Sequence, residues 1–297
     1  MPVKAYLALA TVVVVWGVAP ALIRSFSTTI GPWDSVFIRM TSVALMCLPF
    51  LPFSGTTIAR RDWPKLLLVS CVGMFGYFLG SIYGFAYVKT GIGGIIMAIQ
   101  PLIIAIFAAV LGTERLTLPV VIGLCVSFAG AFYLFNDDLG AGGNFNETLF
   151  GTAMLMFCNV CFAINVVFSR SLVQTYGAFR VTILTMIFAA IPALAFFRPD
   201  VVDVIRNLNA FAWFSLFHLG FIGTIVVVIM WNHAVGQLRP ATVGASLYVI
   251  PLLAVVSGWV VLGETLGLRA LIAGLVILAG VAISEFGAKW TNQLKKS

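Results

Sequence analysis

Long apolar runs, each broken by a few polar residues, follow one another along almost the whole chain. A membrane helix needs about 20 apolar residues to cross roughly 30 Å of hydrocarbon. The runs predict ten such helices: Val3–Ile23, Asp34–Pro52, Lys65–Phe85, Gly91–Gly112, Leu118–Phe135, Leu149–Ser169, Ala178–Phe197, Phe211–His233, Ala241–Leu262 and Leu268–Phe286. The breaks are short and carry turn chemistry, as in Ile30-Gly31-Pro32, Asn136-Asp137-Asp138 and Arg239-Pro240. The longest, Asn136 to Glu147, is rich in Gly and Asn and divides the chain into halves. The first run is too long for a signal-peptide core, and no small-residue cleavage site follows it.

Composition leads to the same solvent. The chain is 61% hydrophobic and 9% charged, against roughly 25% charged in a soluble globular protein. A water-facing surface would need the missing charges, so lipid surrounds most of the chain. The net charge of +7 does not point to nucleic acid, because the basic residues stand singly or in pairs between apolar runs. They report orientation instead, since Lys and Arg collect on the cytoplasmic side. With the N-terminus inside, the inner segments hold Lys4, Arg60, Arg61, Lys65, Arg115, Arg170, Arg180, Arg239, Lys289, Lys295 and Lys296. The outer side holds Arg24, Arg39, Lys89, Arg198, Arg206 and Arg269, and the acidic residues lean outward: Asp34, Asp137, Asp138, Glu147, Asp200, Asp203 and Glu264. An even number of spans returns the C-terminus to the cytoplasm. Cys47, Cys71, Cys125, Cys158 and Cys161 all lie inside apolar runs. The Cys158/Cys161 pair reads as two small hydrophobes on one helix face, and no metal or other cofactor is expected.

The halves repeat. Shifted by about 150 residues, they align without a gap from the third span to the last: Gly73 with Gly223, Gly94 with Gly244, Pro101-Leu102 with Pro251-Leu252, Glu114 with Glu264, Ala129-Gly130 with Ala279-Gly280. The first spans align at a slightly smaller shift, with Arg24-Ser25 on Arg170-Ser171, and the second and seventh spans show no clear register. Five spans per copy is an odd number, so the copies enter the membrane from opposite sides. Inverted repeats of this kind are a transporter architecture, with the solute near the midplane where the copies meet. The expected fold is therefore an all-α polytopic membrane protein. Residues 1–136 form one repeat, 137–148 an outer connecting loop, 149–286 the second repeat and 287–297 a basic cytoplasmic tail.

Trp16-Gly17 in the first span, together with a proline followed thirteen residues later by Glu-x-Leu in both copies (Pro101/Glu114/Leu116 and Pro251/Glu264/Leu266), resembles the drug/metabolite transporter superfamily in its ten-span EamA-type form. The resemblance covers almost the whole chain and is greatest to bacterial exporters of aromatic and other amino acids. It implies a central cavity lined by the inner spans, alternating access, export across the inner membrane, and a small-molecule solute as partner of a monomeric carrier.

Candidate residues follow from depth. Trp16, Gln100, Asn159 and Tyr248 stand near the middle of their spans, where an uncharged polar group either joins helices or faces a solute. The third span carries Gly73, Gly76, Gly80 and Gly84 in one narrow stripe, which suits close helix packing. Tyr77 lies at its edge near the midplane and Tyr83 farther round; either could line the cavity. Pro101 and Pro251 kink the fourth and ninth spans at matching depth, for packing or as hinges, and Gln100 stands beside only one of them. Glu114 and Glu264 read as structural helix ends, each favourable in the first turn of the following helix. No Asp, Glu or Lys stands at a midplane, while Asp34, Arg39, Lys89 and Glu285 read as near span ends, where long side chains reach the interface. This pattern suits uniport or exchange of a zwitterionic or neutral solute held by hydrogen bonds and aromatic contacts. A drug or other metabolite carrier is the alternative within transport. A lipid-modifying membrane enzyme is the alternative outside it, and that would call for clustered His, Asp or Glu at one interface.

Overall fold

The computed structural model describes residues 2–55, 57–111, 118–138, 145–228, 230–231, 234, 246, 249–265, 267–268, 271–280 and 282–283. Ten helical segments are distinguishable among them, in chain order: α1 (Val3–Ile30), α2 (Pro32–Cys47), α3 (Arg60–Tyr87), α4 (Thr90–Val110), α5 (Leu118–Asp138), α6 (Phe145–Tyr176), α7 (Ala178–Phe196), α8 (Ala210–Val226), α9 (Val249–Leu262) and α10 (Leu271–Gly280). Five of these (α1, α3, α4, α6 and α7) are long and apolar enough to cross a membrane. A short extra helix, Val201–Arg206, precedes α8.

The backbone supplies the register that the side chains of the second and seventh spans hide. Gly31 before α2 has φ 84° and ψ 150°, and Gly177 before α7 has φ 84° and ψ 149°. Both lie in a region open to glycine alone, and they stand 146 residues apart. Sixteen-residue α-helices follow both, and each ends in a 3₁₀ turn, Leu48–Phe50 in one copy and Leu194–Phe196 in the other. From the third span the shift is 150: π-helical stretches begin at Leu68 in α3 and at His218 in α8. The four extra residues of the second copy therefore fall between the seventh and eighth spans, where Val201–Arg206 lies.

The pseudo-twofold relation is visible in reciprocal contacts. A Cβ placed on Gly130 of α5 would meet Ile277 of α10, and one on Gly280 would meet Ser127. Ser127 and Ile277 correspond by the 150 shift, as do Gly130 and Gly280, and such reciprocity marks a two-fold contact. Ser127 Oγ donates across it to the Ile277 carbonyl at 3.1 Å.

Packing mixes the copies. The glycines of α3 all abut α6. A Cβ on Gly80 would lie 2.6 Å from the Met154 carbonyl oxygen, and Gly73, Gly76 and Gly84 face Asn165, Cys161 and Leu155. Cys158 and Cys161 are buried in this seam. Likewise α1 meets α9 where Gly17 abuts Leu253, and Ser257 Oγ donates to the Gly17 carbonyl at 3.1 Å. The continuous core runs through α1–α4 and α6–α8 and reaches α10.

Candidate solute site

Five of the proposed solute-site residues, Trp16, Tyr77, Tyr83, Gln100 and Asn159, fall among the described residues and separate into distinct groups. Asn159 is fully buried on α6. Its Nδ2 donates to the Ile96 carbonyl at 3.1 Å. That carbonyl lies at the break in α4, where regular helix stops at Met97 and resumes at Gln100. Pro101 cannot donate a backbone N–H, so the helix tightens there, with Ile99 N bonded to Ile96 O at 3.2 Å. Asn159 thus adds a second donor to a carbonyl that the tightened turn already engages, and ties α6 to the kink. Its Oδ1 and the Gln100 Nε2 are buried without hydrogen-bond partners.

Tyr77 stands on α3 between Phe78 and Phe162, with ring centroids 5.4 and 5.1 Å away. It is also an electrostatic neighbour of Arg39 and Cys158. Tyr83 belongs elsewhere: its ring meets Phe150 at 6.2 Å, and its charged neighbours are Asp34 and Arg198 at the end of the bundle. Trp16 packs with Trp231, 5.3 Å between centroids, in a separate cluster with Val12, Val15 and Val227. Pro251 is buried in α9 with Gly94 of α4 against it. Tyr248 and Glu114 lie outside the described residues.

Arg39 departs from the expectation of a side chain reaching an interface. It is only 5% exposed. The helix begins at Pro32, which sets Arg39 roughly 10 Å below that end at 1.5 Å per residue. Its guanidinium carbon stands 4.5 Å from the Phe78 ring centroid. Nε and Nη1 are buried with no acceptor. The 146 shift pairs Arg39 with Thr185 of α7, 2% exposed and with its own Oγ1 unpartnered. Sequence reading passed over Arg39 because depth was counted from a polar break; the glycine N-caps supply the missing depth. His218 of α8 is also buried, 9% exposed, with Nε2 3.5 Å from the Val15 carbonyl.

Glu264 also acts away from its own following helix. Its Oε1 pairs with Arg24 Nε at 2.5 Å, and its Oε2 accepts from the Thr90 N–H at 2.7 Å. The carboxylate therefore sits at the N-terminus of α4, where the helix dipole favours it. Arg24 donates onward to the Phe85 and Val88 carbonyls at 2.9 and 2.6 Å. One clasp thus joins α1, α3, α4 and the end of α9. At the same end Asp34 stands 3.6 Å from Arg198. The opposite end carries Lys65 Nζ bonded to Ser171 Oγ at 3.0 Å and Tyr176 donating to Asp62 at 2.6 Å. A cleft of about 520 Å³ opens there, lined by Lys65, Leu111, Val167, Phe168, Arg170, Ser171 and Gln174.

The EamA-like transporter family model matches residues 3–136 and again 149–286. An uncharacterized transporter of Archaeoglobus fulgidus is 23% identical over 94% of this chain and 98% of its own length. A protein of Streptantibioticus cattleyicolor named "Probable terminal-alkyne amino-acid exporter" is 29% identical, covering 94% of this chain and 93% of its own. An Escherichia coli protein named "Probable amino-acid metabolite efflux pump" is 21% identical over 96% and 95%. A protein of known crystal structure aligns with a TM-score of 0.64 over 97% of this chain and 98% of its own at 20% identity, a likeness of fold.

Proposed function

This chain belongs to the EamA-like transporter family, and from that premise we propose that it exports amino acids, aromatic ones among them, across the inner membrane by alternating access. It is a multi-pass membrane transporter; the solute and direction are the proposal. The observation that carries the solute class is the set of buried, unpartnered polar atoms on Arg39, Asn159 and Gln100, with Arg39 against Phe78 and Tyr77 between Phe78 and Phe162. Uncommitted polar atoms among aromatic rings, inside an otherwise apolar bundle, suit a solute with a polar head and an apolar side chain. A relative named as an amino-acid exporter and one named as an amino-acid metabolite efflux pump support this choice.

Access alternates, in this reading, through two clasps. The outer one is Arg24–Glu264. By the shifts relating the copies, Arg170 corresponds to Arg24 and Glu114, outside the described residues, to Glu264; we assign the second clasp to these two positions. Arg170 lines the inner cleft. The termini are cytoplasmic, as the inner excess of Lys and Arg favours, and a C-terminal fluorescent fusion would glow in cells if so. Transport is uncoupled or by exchange, since arginine stays charged across the physiological pH range and is no proton carrier.

The test is uptake of labelled amino acids by proteoliposomes, with Tyr77→Ala and Gln100→Ala beside the parent. The parent should exceed empty vesicles for at least one aromatic amino acid and keep its rate when a pH gradient is collapsed. A parent inert toward every amino acid refutes the function. An active parent matched by both variants refutes the site.

A further inference from the structure

We infer that the guanidinium of Arg39 is the seat of the solute's carboxylate. This rests on the amino-acid reading above and deepens it by naming the group that is gripped and the residue that grips it.

The case begins with cost. Arg39 is 5% exposed, and its Nε and Nη1 are sealed from solvent with nothing to donate to. Among the described residues no carboxylate lies within ion-pair reach of it; the four pairs formed there use Arg24, Arg61, Arg198 and Arg206. A buried, unpaired ion costs several kcal/mol even after the surroundings relax. The ring of Phe78, 4.5 Å from the guanidinium carbon, offsets only part of that cost. Phe78 therefore holds the cation without neutralising it. An ionisable side chain left in that condition inside a membrane protein marks a functional site by default.

The chemistry then selects the anion. A guanidinium presents parallel N–H groups in a plane and matches a carboxylate bidentately. One cation suits a monoanion; a phosphate ester would call for more than one. The surroundings provide for the rest of an amino acid. Tyr77 and Cys158 are the electrostatic neighbours of Arg39. Next to Cys158, Asn159 keeps a buried Oδ1 free, an acceptor of the kind an ammonium group needs. Phe78, Tyr77 and Phe162 form a run of rings, with centroids 5.4 and 5.1 Å apart, against which an aromatic side chain would lie. The second copy lacks the means to duplicate this site, because Thr185 stands where Arg39 would and Val227 where Tyr77 would.

The experiment uses the full chain in proteoliposomes, with labelled L-phenylalanine as the transported probe. Unlabelled L-phenylalanine, L-phenylalaninamide and phenethylamine compete against it. The amide and the amine keep the ring and the nitrogen but lack the carboxylate. Each should compete at least about tenfold more weakly than the acid, the loss expected of one charge-assisted contact. Arg39→Gln should raise the KM for L-phenylalanine about tenfold or more and erase the difference between acid and amide, while Arg39→Lys should recover part of it. Equal competition by acid and amide on the parent protein overturns the inference even if the Arg39 variants fail to fold. So does a folded Arg39→Gln protein with parental KM, and in both cases amino-acid transport itself stands. A parent that moves no amino acid overturns both readings together.

Discussion

Asn159 combines an architectural contact with the free acceptor that the proposed site needs. Its amide nitrogen is committed to the Ile96 carbonyl at the α4 kink, and its oxygen is free. Asn159→Ala would remove one of the two hydrogen bonds to the Ile96 carbonyl, the other coming from the Ile99 N–H, at a cost of about 1 kcal/mol. The expected outcome is a lower thermal midpoint in detergent together with slower amino-acid uptake. Asn159→Asp should restore neither, because a carboxylate cannot donate to that carbonyl. Asn159, Gln100 and Tyr77 were legible from sequence because a polar residue deep in an apolar run stands out. Arg39 was not. Pro32, Trp33 and Asp34 mark a polar break just before it, and a long basic side chain near a break reads as one that reaches water. Only the helix start and the packing of Phe78 show that it points inward.

Among the described residues the helices follow the apolar runs in order but not in length. The first run was expected to end at Ile23 and the sixth at Ser169, yet α1 continues to Ile30 and α6 to Tyr176. Both extensions begin at an arginine, Arg24 or Arg170, where hydropathy stops signalling helix although the backbone has no reason to break. The second and seventh spans share no legible side-chain pattern; what they share is a backbone turn at Gly31 and Gly177. The glycine stripe of α3 was legible, and its energetic content is now specific. Gly80→Ala would drive a methyl to within 2.6 Å of the Met154 carbonyl oxygen and 2.9 Å of the Cys158 nitrogen. Backbone atoms cannot step aside, so α3 and α6 must separate, costing about 1–3 kcal/mol. A thermal melt should register that loss, whereas Gly223→Ala, facing one carbonyl at 3.2 Å, should lose less.

Across the whole molecule the two ends are related but unequal. Small apolar clusters close both, with Phe26 and Leu216 at one and their counterparts Leu172 and Leu66 at the other. The outer clasp has a third leg in the Thr90 N–H. The position corresponding to Thr90 by the 150 shift is Pro240, which has no N–H to give. The end held by Arg24 and Glu264 should therefore be the better fastened of the two, which, in the orientation proposed above, suits a carrier that loads from the cytoplasm. Glu264→Gln should loosen it: a cysteine at position 257, buried in the parent and roughly 8 Å deeper along α9, should become reactive to a membrane-impermeant thiol reagent added outside. Unchanged labelling would remove the clasp from the mechanism. The seam between α3 and α6 carries one more consequence, for biogenesis. The stripe of α3 enters the bilayer well before the helix that fills it has been synthesised, and α1 likewise waits for α9. Neither half of the chain can complete its own core during translation. Residues 1–140 expressed alone should be degraded, and co-expression with residues 141–297 should rescue both fragments, because the unit that the cell must fold is the interlocked pair.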